Sequence, residues 1–198
     1  MKKLHRPDLR GWSVFDDERD LDFHATLWVR PGGNVVIDPL PLSAHDRAQL
    51  DALGGVATIV VTNSGHLRDA AALAAATGAA VYGPAAERAT FALKCTRWLD
   101  DGAEVVPGLT ALAMDGSKTP GELALVLERT TLITGDLVRA PVPGTLARLP
   151  DAKLTDRAAA LRSIARLAEL PELQTVLVGD GWHLFHGATA ALRALAAA

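Results

Sequence analysis

The run Val60–Gly83, VVTNSGHLRDAAALAAATGAAVYG, holds the transition on which the fold turns. It opens as the end of VATIVVT (56–62), a continuous apolar strand of the kind buried on both faces. A polar loop, Asn63–Arg68, follows, and then an Ala-rich helix over Asp69–Thr77 that Gly78 stops. AAVYG (79–83) is the next short strand. Asp69 suits the helix N-cap, and His66 is the one histidine of the loop.

Upstream, HATLWVRPGGNVVIDPL (24–40) reads as a hairpin, two β-rich runs around the turn Pro31-Gly32-Gly33. Ser43 caps a helix over Ser43–Leu53. Downstream, Pro84 opens a second helical stretch carrying Phe91, Leu93 and Trp98. DDGAEVVPGLTALAMDG (100–116) gives two short strands broken at Pro107-Gly108, and GELALVLERTTLITGDL (121–137) a hairpin. A helix over Thr155–Leu170, the buried strand of LQTVLVGDG (173–181) and a closing helix over Ala188–Ala197 complete the chain. RAPVPGTLARLPDAKL (139–154) is a proline-braced loop, either a plain crossover or the rim of a site.

The 198 residues suffice for one domain over 1–198 with a sizeable core. Hydrophobic residues make up 49% and charged residues 22%, an ordinary globular balance. No apolar run approaches the roughly 20 residues of a membrane span. The start, MKKLHRPDLRGW, has no apolar run behind its lysines, so it does not read as a secretory signal. A net charge of −3 gives no basic footprint for nucleic acid, and Arg157, Arg162 and Arg166 fit the wet face of a helix. The one cysteine, Cys95, excludes an internal disulfide and a multi-cysteine zinc cluster, and a cytoplasmic location is the default. Its stretch FALKCTRWL has no nearby histidine, so the thiol reads as structural.

Five landmarks, in order, give the chain a resemblance to the metallo-β-lactamase fold superfamily. VVIDPL (35–40) is similar to that family's strand ending in Ile-Asp, and IVVTNSGHLRD (59–69) to its apolar strand followed by His-x-His-x-Asp-His. DGSKTPGELAL (115–125) resembles its Pro-Gly-His-Thr-Pro-Gly-Ser-Leu segment, and LITGDLV (132–138) its strand ending in a metal-bridging Asp. VLVGDGWH (176–183) stands where the family has Gly-His-Gly. The resemblance implies an α/β fold, a four-layer αβ/βα sandwich with two sheets face to face. Its site would lie where loops leave one edge of the sheets, gathering Asn63–Asp69, Lys118, Asp136 and Asp180.

The departures fall on the ligands. With Thr62 as anchor, Asn63, Gly65, Leu67 and Arg68 stand in the histidine-motif positions; a one-residue shift places His66 and Asp69 there instead. Lys118 and Asp180 replace two further histidines, and Asp136 alone matches. A dinuclear zinc site needs several neutral imidazoles. An ammonium repels a divalent ion and has no lone pair, and Arg68 would add to that repulsion. The expectation is that Lys118 lies against Asp136, Asp180 or both, with no cofactor and a degenerate metal site. The candidate catalytic residues are Asp136, Asp180, Lys118 and His66. The alternative is a single divalent ion, Mn, Fe, Mg or Zn, on Asp136, Asp180, His66 and Asp69, activating water against an ester, lactone or phosphoester. A third reading is a metal-free binding or scaffold protein acting through an oligomer interface. The partners expected are a small-molecule ligand and a second copy in a homodimer, with no nucleic acid and no membrane.

Overall fold

The computed structural model describes residues 1–197. Its first sheet has seven strands in chain order: β1 (Lys2–Lys3), β2 (Leu9–Asp16), β3 (Leu21–Trp28), β4 (Val35–Ile37), β5 (Thr58–Val60), β6 (Ala80–Pro84) and β7 (Arg97–Leu99). β1 to β4 pair antiparallel, and β4 through β7 run parallel to one another. The second sheet begins with β8 (Glu104–Val106), β9 (Leu109–Met114), β10 (Glu122–Leu127) and β11 (Thr131–Thr134), all antiparallel. A small hairpin, β12 (Val138–Arg139) with β13 (Ala147–Arg148), follows. β14 (Thr175–Val178) then joins the second sheet parallel to β11, giving the order β14-β11-β10-β9-β8.

Side chains of a strand alternate between its two faces, and that alternation builds the layers. On β10, Leu123, Leu125 and Leu127 share one cluster with Val35, Ile37 and Val60 of the first sheet, which cements sheet to sheet. Ala124 faces the other way, with Met114, Leu132 and Val176, under α3 (Arg157–Ala168) and α4 (Ala188–Ala196). On the first sheet, Val36, Ile59 and Val61 turn outward to Leu50 of α1 (Ala44–Ala52) and to Ala70 and Leu73 of α2 (Ala70–Thr77). Helices, sheet, sheet, helices: the expected four-layer sandwich is present. Among the described residues no helix is long and apolar enough to cross a membrane.

Two elements differ from the sequence reading. The helix expected after Pro84 is one 3-10 turn, Ala85–Glu87, and Trp98 belongs to β7. Phe91 and Trp98 stack edge to face with ring centroids 5.6 Å apart, while Phe91, Leu93 and Cys95 pack on the outer face of the first sheet. An extra parallel strand at the sheet edge buries these apolar groups without a helix. The N-terminal hairpin of β2 and β3, eight residues each, is the second difference, since LRGWSVFD does not alternate cleanly. Its tip is exposed, with Phe15 54% accessible, so that end carries little burial signal.

Candidate functional site: a salt-bridged carboxylate cluster

Parallel strands send their C-terminal ends to the same edge, and loops after such ends gather into sites. Here β4 delivers Asp38, β5 delivers Thr62 to Arg68, β11 delivers Asp136 and β14 delivers Asp180. The turn between β9 and β10 adds Lys118 at that edge, because β10 runs antiparallel to β11. Cross-links fix the two sheets there: Leu123 N donates to Thr62 O at 2.8 Å and His24 N to Gly179 O at 2.9 Å.

At the bottom lies His66, 3% exposed. Its Nδ1 is 2.8 Å from Asp38 Oδ2, and its Nε2 is 3.5 Å from Asp136 Oδ2 and 4.0 Å from Asp180 Oδ1. Asp38 also accepts from Thr62 N (2.8 Å) and Thr62 Oγ1 (2.6 Å), a fixed acceptor behind the imidazole. Burial alone would lower the His66 pKa, but the Asp38 and Asp136 carboxylates outweigh it and raise it to about 9. Both ring nitrogens then carry protons at neutral pH. Asp136 accepts from Lys118 Nζ at 2.8 Å and from Asn63 Nδ2 at 2.9 Å. Burial pushes its carboxyl upward, yet His66 and Lys118 hold it well below the usual carboxylate range.

Asp180 is held differently. Arg68 NH2 is 3.5 Å from Asp180 Oδ1 and Arg139 NH2 4.0 Å from Oδ2, and Oδ1 is buried without a hydrogen bond. Burial raises its pKa. Arg68 also donates through NH1 to His24 O at 2.6 Å, and its NH2 lies 3.4 Å from Gly179 O, so one guanidinium ties both sheets together. Arg68 and Asp38 take positive φ, 40° and 48°, a region non-glycine residues seldom occupy. Such backbone costs about 1–3 kcal/mol and persists where surrounding bonds over-determine it. Gly65 leaves room for the cluster, because a Cβ there would lie 2.9 Å from Asn63 Oδ1 and 3.0 Å from Lys118 Nζ and would press on both side chains.

The structure therefore brings together four of the residues singled out from sequence: His66, Asp136, Asp180 and Lys118. Lys118 lies on Asp136, and the cation beside Asp180 is Arg68, with Arg139 behind it. Asp69 stands apart from the cluster. It caps α2 without a side-chain hydrogen bond, and its backbone N donates to Pro39 O. Glu122 pairs with neither Arg68 nor Lys118 but sits fully inside, accepting from Ser117 Oγ and from Leu137 N (2.8 Å). Burial and the Asp136 charge push its pKa up to about 7. His183 stacks beside His24 at 4.2 Å between ring centroids, and burial drives its pKa down to about 3. Cys95 is half-buried, its thiol pushed up to about 11 by burial, which leaves it unreactive. Sequence reasoning placed Asn63 in the loop of the site but missed Asp38 and Arg139 as its members. The signals for these two were faint: an Asp ending a buried strand and an Arg at the start of the proline-braced segment.

His66, Asp136 and Asp180 each offer one ligand atom, all within 4.8 Å of one another, so the geometry is compatible with one divalent ion. The charges do not fit a metal pair. Like unit charges at 4 Å repel by about 4 kcal/mol at an effective dielectric of 20, and a divalent ion doubles that. Lys118, Arg68 and a doubly protonated His66 already neutralise the aspartates that metals would need.

The family model described as metallo-beta-lactamase superfamily matches residues 1–198. A comparison with curated proteins finds no match. Solved structures share the fold at low identity. The DIM-1 metallo-beta-lactamase is 15% identical with a TM-score of 0.76, covering 99% of this chain and 95% of its own. A metallo-beta-lactamase family protein of Thermus thermophilus is 19% identical with a TM-score of 0.71, covering 97% and 79%. The protein TTHA1623, solved in a di-iron-bound form, is 24% identical with a TM-score of 0.66, covering 90% and 96%. With the family model matched end to end over a sandwich of this topology, the chain belongs to the metallo-beta-lactamase superfamily.

Proposed function

We propose that this chain is a hydrolase-like superfamily member whose dinuclear metal centre has given way to an internal salt-bridge cluster, and that it works as a metal-free binder of a small molecule. The observation that carries this reading is the contact of Lys118 Nζ with Asp136 Oδ1 at 2.8 Å. A buried carboxylate needs a partner, and a protein ammonium supplies it without an inorganic ion. Arg68 does the same for Asp180. The single thiol fits the cytoplasmic location proposed with it.

Elemental analysis of protein purified without chelators and dialysed against zinc and manganese tests the proposal. The expected content is below about 0.1 equivalent per chain, and the variant Lys118→Met is expected to bind metal at least about tenfold more tightly, since a tenfold change needs only ~1.4 kcal/mol of the removed repulsion. One equivalent in the parent protein would overturn the reading.

One observation favours a second reading. Asp180 Oδ1 is buried without a hydrogen bond, 4.0 Å from His66 Nε2, and a single divalent ion on His66, Asp136 and Asp180 would satisfy it. Such an ion would polarise a bound ester or phosphoester and lower the pKa of water. Binding would require His66 to give up its Nε2 proton and Arg68 to withdraw. The same elemental analysis, with hydrolysis of ester and phosphoester substrates measured in its presence, separates the two.

A further inference from the structure

A cavity of about 250 Å³ opens over the cluster, and its charge is lopsided. Six cationic side chains line it, the His66 imidazolium, Arg19, Arg68, Lys118, Arg139 and Lys153, against the two carboxylates Asp136 and Asp180. They are arranged in depth. Arg68 and Arg139 are 10% and 14% exposed, Lys118 is 34% exposed, and Arg19 and Lys153 stand at the open rim. Arg19 is partly committed to Asp16 at 2.7 Å, whereas Lys153 makes no ion pair among the described residues.

Arg139 is the informative member. Its Nε is buried without a partner, and among the described residues its guanidinium makes no hydrogen bond, only the 4.0 Å approach to Asp180. A buried guanidinium left without acceptors is costly, and planar, bidentate donors of this kind match the oxygens of carboxylates and phosphates. The excess positive charge sits on a chain with a net charge of −3, so it is a local concentration rather than a general property of the surface.

We infer that this cavity is an oxyanion pocket for a small, multiply charged metabolite, a phosphate ester foremost, held by Arg139 and Arg68 from within and by Lys153 at the mouth. This rests on the metal-free reading of the same site and names its ligand class. With Arg19 set against Asp16, the other five cations exceed the two carboxylates by three charges, more than a single carboxylate can neutralise, while a phosphate monoester brings about two negative charges and three acceptor oxygens. The volume is below the roughly 300–1,000 Å³ of pockets for drug-sized ligands, which sets the scale of the organic part.

Thermal unfolding of the full chain with inorganic phosphate, pyrophosphate or succinate, each against sodium chloride at matched ionic strength, tests the inference. The expected result is a rise in Tm of about 4 °C at ten times the dissociation constant, since only the folded state binds. A response to the phosphates assigns a phosphate ester, and an equal response to succinate assigns a dicarboxylate within the same oxyanion chemistry. Arg139→Gln is expected to weaken binding at least tenfold, and Lys153→Gln, on the exposed rim and harmless to folding, about threefold. No shift with any of the three, or a shift unchanged in both variants, would overturn it. Metal content measured on the same samples keeps the two readings apart. Metal-free protein without a phosphate response fails the oxyanion pocket alone; a phosphate response that vanishes with a stoichiometric metal on chelation fails the metal-free reading as well.

Discussion

Arg68→Met is expected to destabilise the protein by about 3 kcal/mol, lowering Tm by about 6–12 °C, because it removes one partner of a buried ion pair and leaves the other charged. Arg68 is the pin of the sandwich. Its NH1 reaches His24 O at 2.6 Å on the first sheet, and its NH2 approaches Gly179 O and Asp180 on the second. Its guanidinium carbon also lies 5.4 Å from the Phe23 ring centroid. Methionine keeps much of the aliphatic volume and none of the donors, so the loss reads the polar contacts. Urea unfolding of the two proteins measures it. An Arg68→Met protein within about 0.5 kcal/mol of the parent would mean that the cluster does not join the sheets energetically, since changes that small are typical of ordinary surface sites.

Stability is expected to fall as pH rises from about 6.5 to 9, by an amount on the order of 3 kcal/mol, since one pKa unit is worth ~1.4 kcal/mol. The sign follows from His66. Its pKa is raised from 6.5 to about 9 on folding, so between those values the native state binds more protons than the unfolded chain. Its contribution is complete below pH 6.5 and is lost as pH climbs through 9. Glu122 acts in the same direction at lower pH: its pKa is raised from 4.5 to about 7, so its share also declines as pH rises through that window. The acid side is governed by groups of opposite sense. His183, lowered to about 3, and His24, lowered by burial, bind fewer protons folded than unfolded, and Asp136 is held low by His66 and Lys118. The two histidines withdraw stability as pH falls below about 6.5, where His183 offsets the share of Glu122, and Asp136 withdraws it as pH falls below the ordinary carboxylate range. His66→Gln is expected to flatten the alkaline limb. Urea unfolding across pH 5 to 9.5 checks both statements; a parent protein equally stable at pH 6.5 and 9 would show that His66 is not held as an imidazolium.

The two predictions share a cause. On the metal-free reading proposed above, protein cations organise a site that an ion would organise in a metal enzyme, so losing them reaches folding as well as the proposed ligand binding. Two arginine donors and a lysine do what an ion would do for the carboxylates, and they leave a positive cavity above.

Individual strands were legible in buried runs such as VATIVVT and LQTVLVGDG, while their stacking in four layers was implied by the resemblance that the five landmarks carry. GELALVLERTTLITGDL paired as read, Leu125 opposite Ile133, since a short turn fixes its own register. The order of the five landmarks was enough to place His66, Lys118, Asp136 and Asp180 at one edge. Composition and pattern did not reveal the strand at Trp98 or the N-terminal hairpin, because both depend on a neighbouring edge already being in place. Nor could they assign partners within the cluster. Asp69 and His66 are equally good ligand types three residues apart, and only the folded loop shows that His66 turns inward to Asp38 and Asp136 while Asp69 stands at the start of α2. Lys118 could have met either aspartate, and its choice of Asp136 left Asp180 to Arg68 and Arg139. Residue identity determined which charges this protein must bury; tertiary structure alone decided how they pair, because Coulomb attraction is set by distances of a few ångströms between groups up to 142 positions apart, from Asp38 to Asp180.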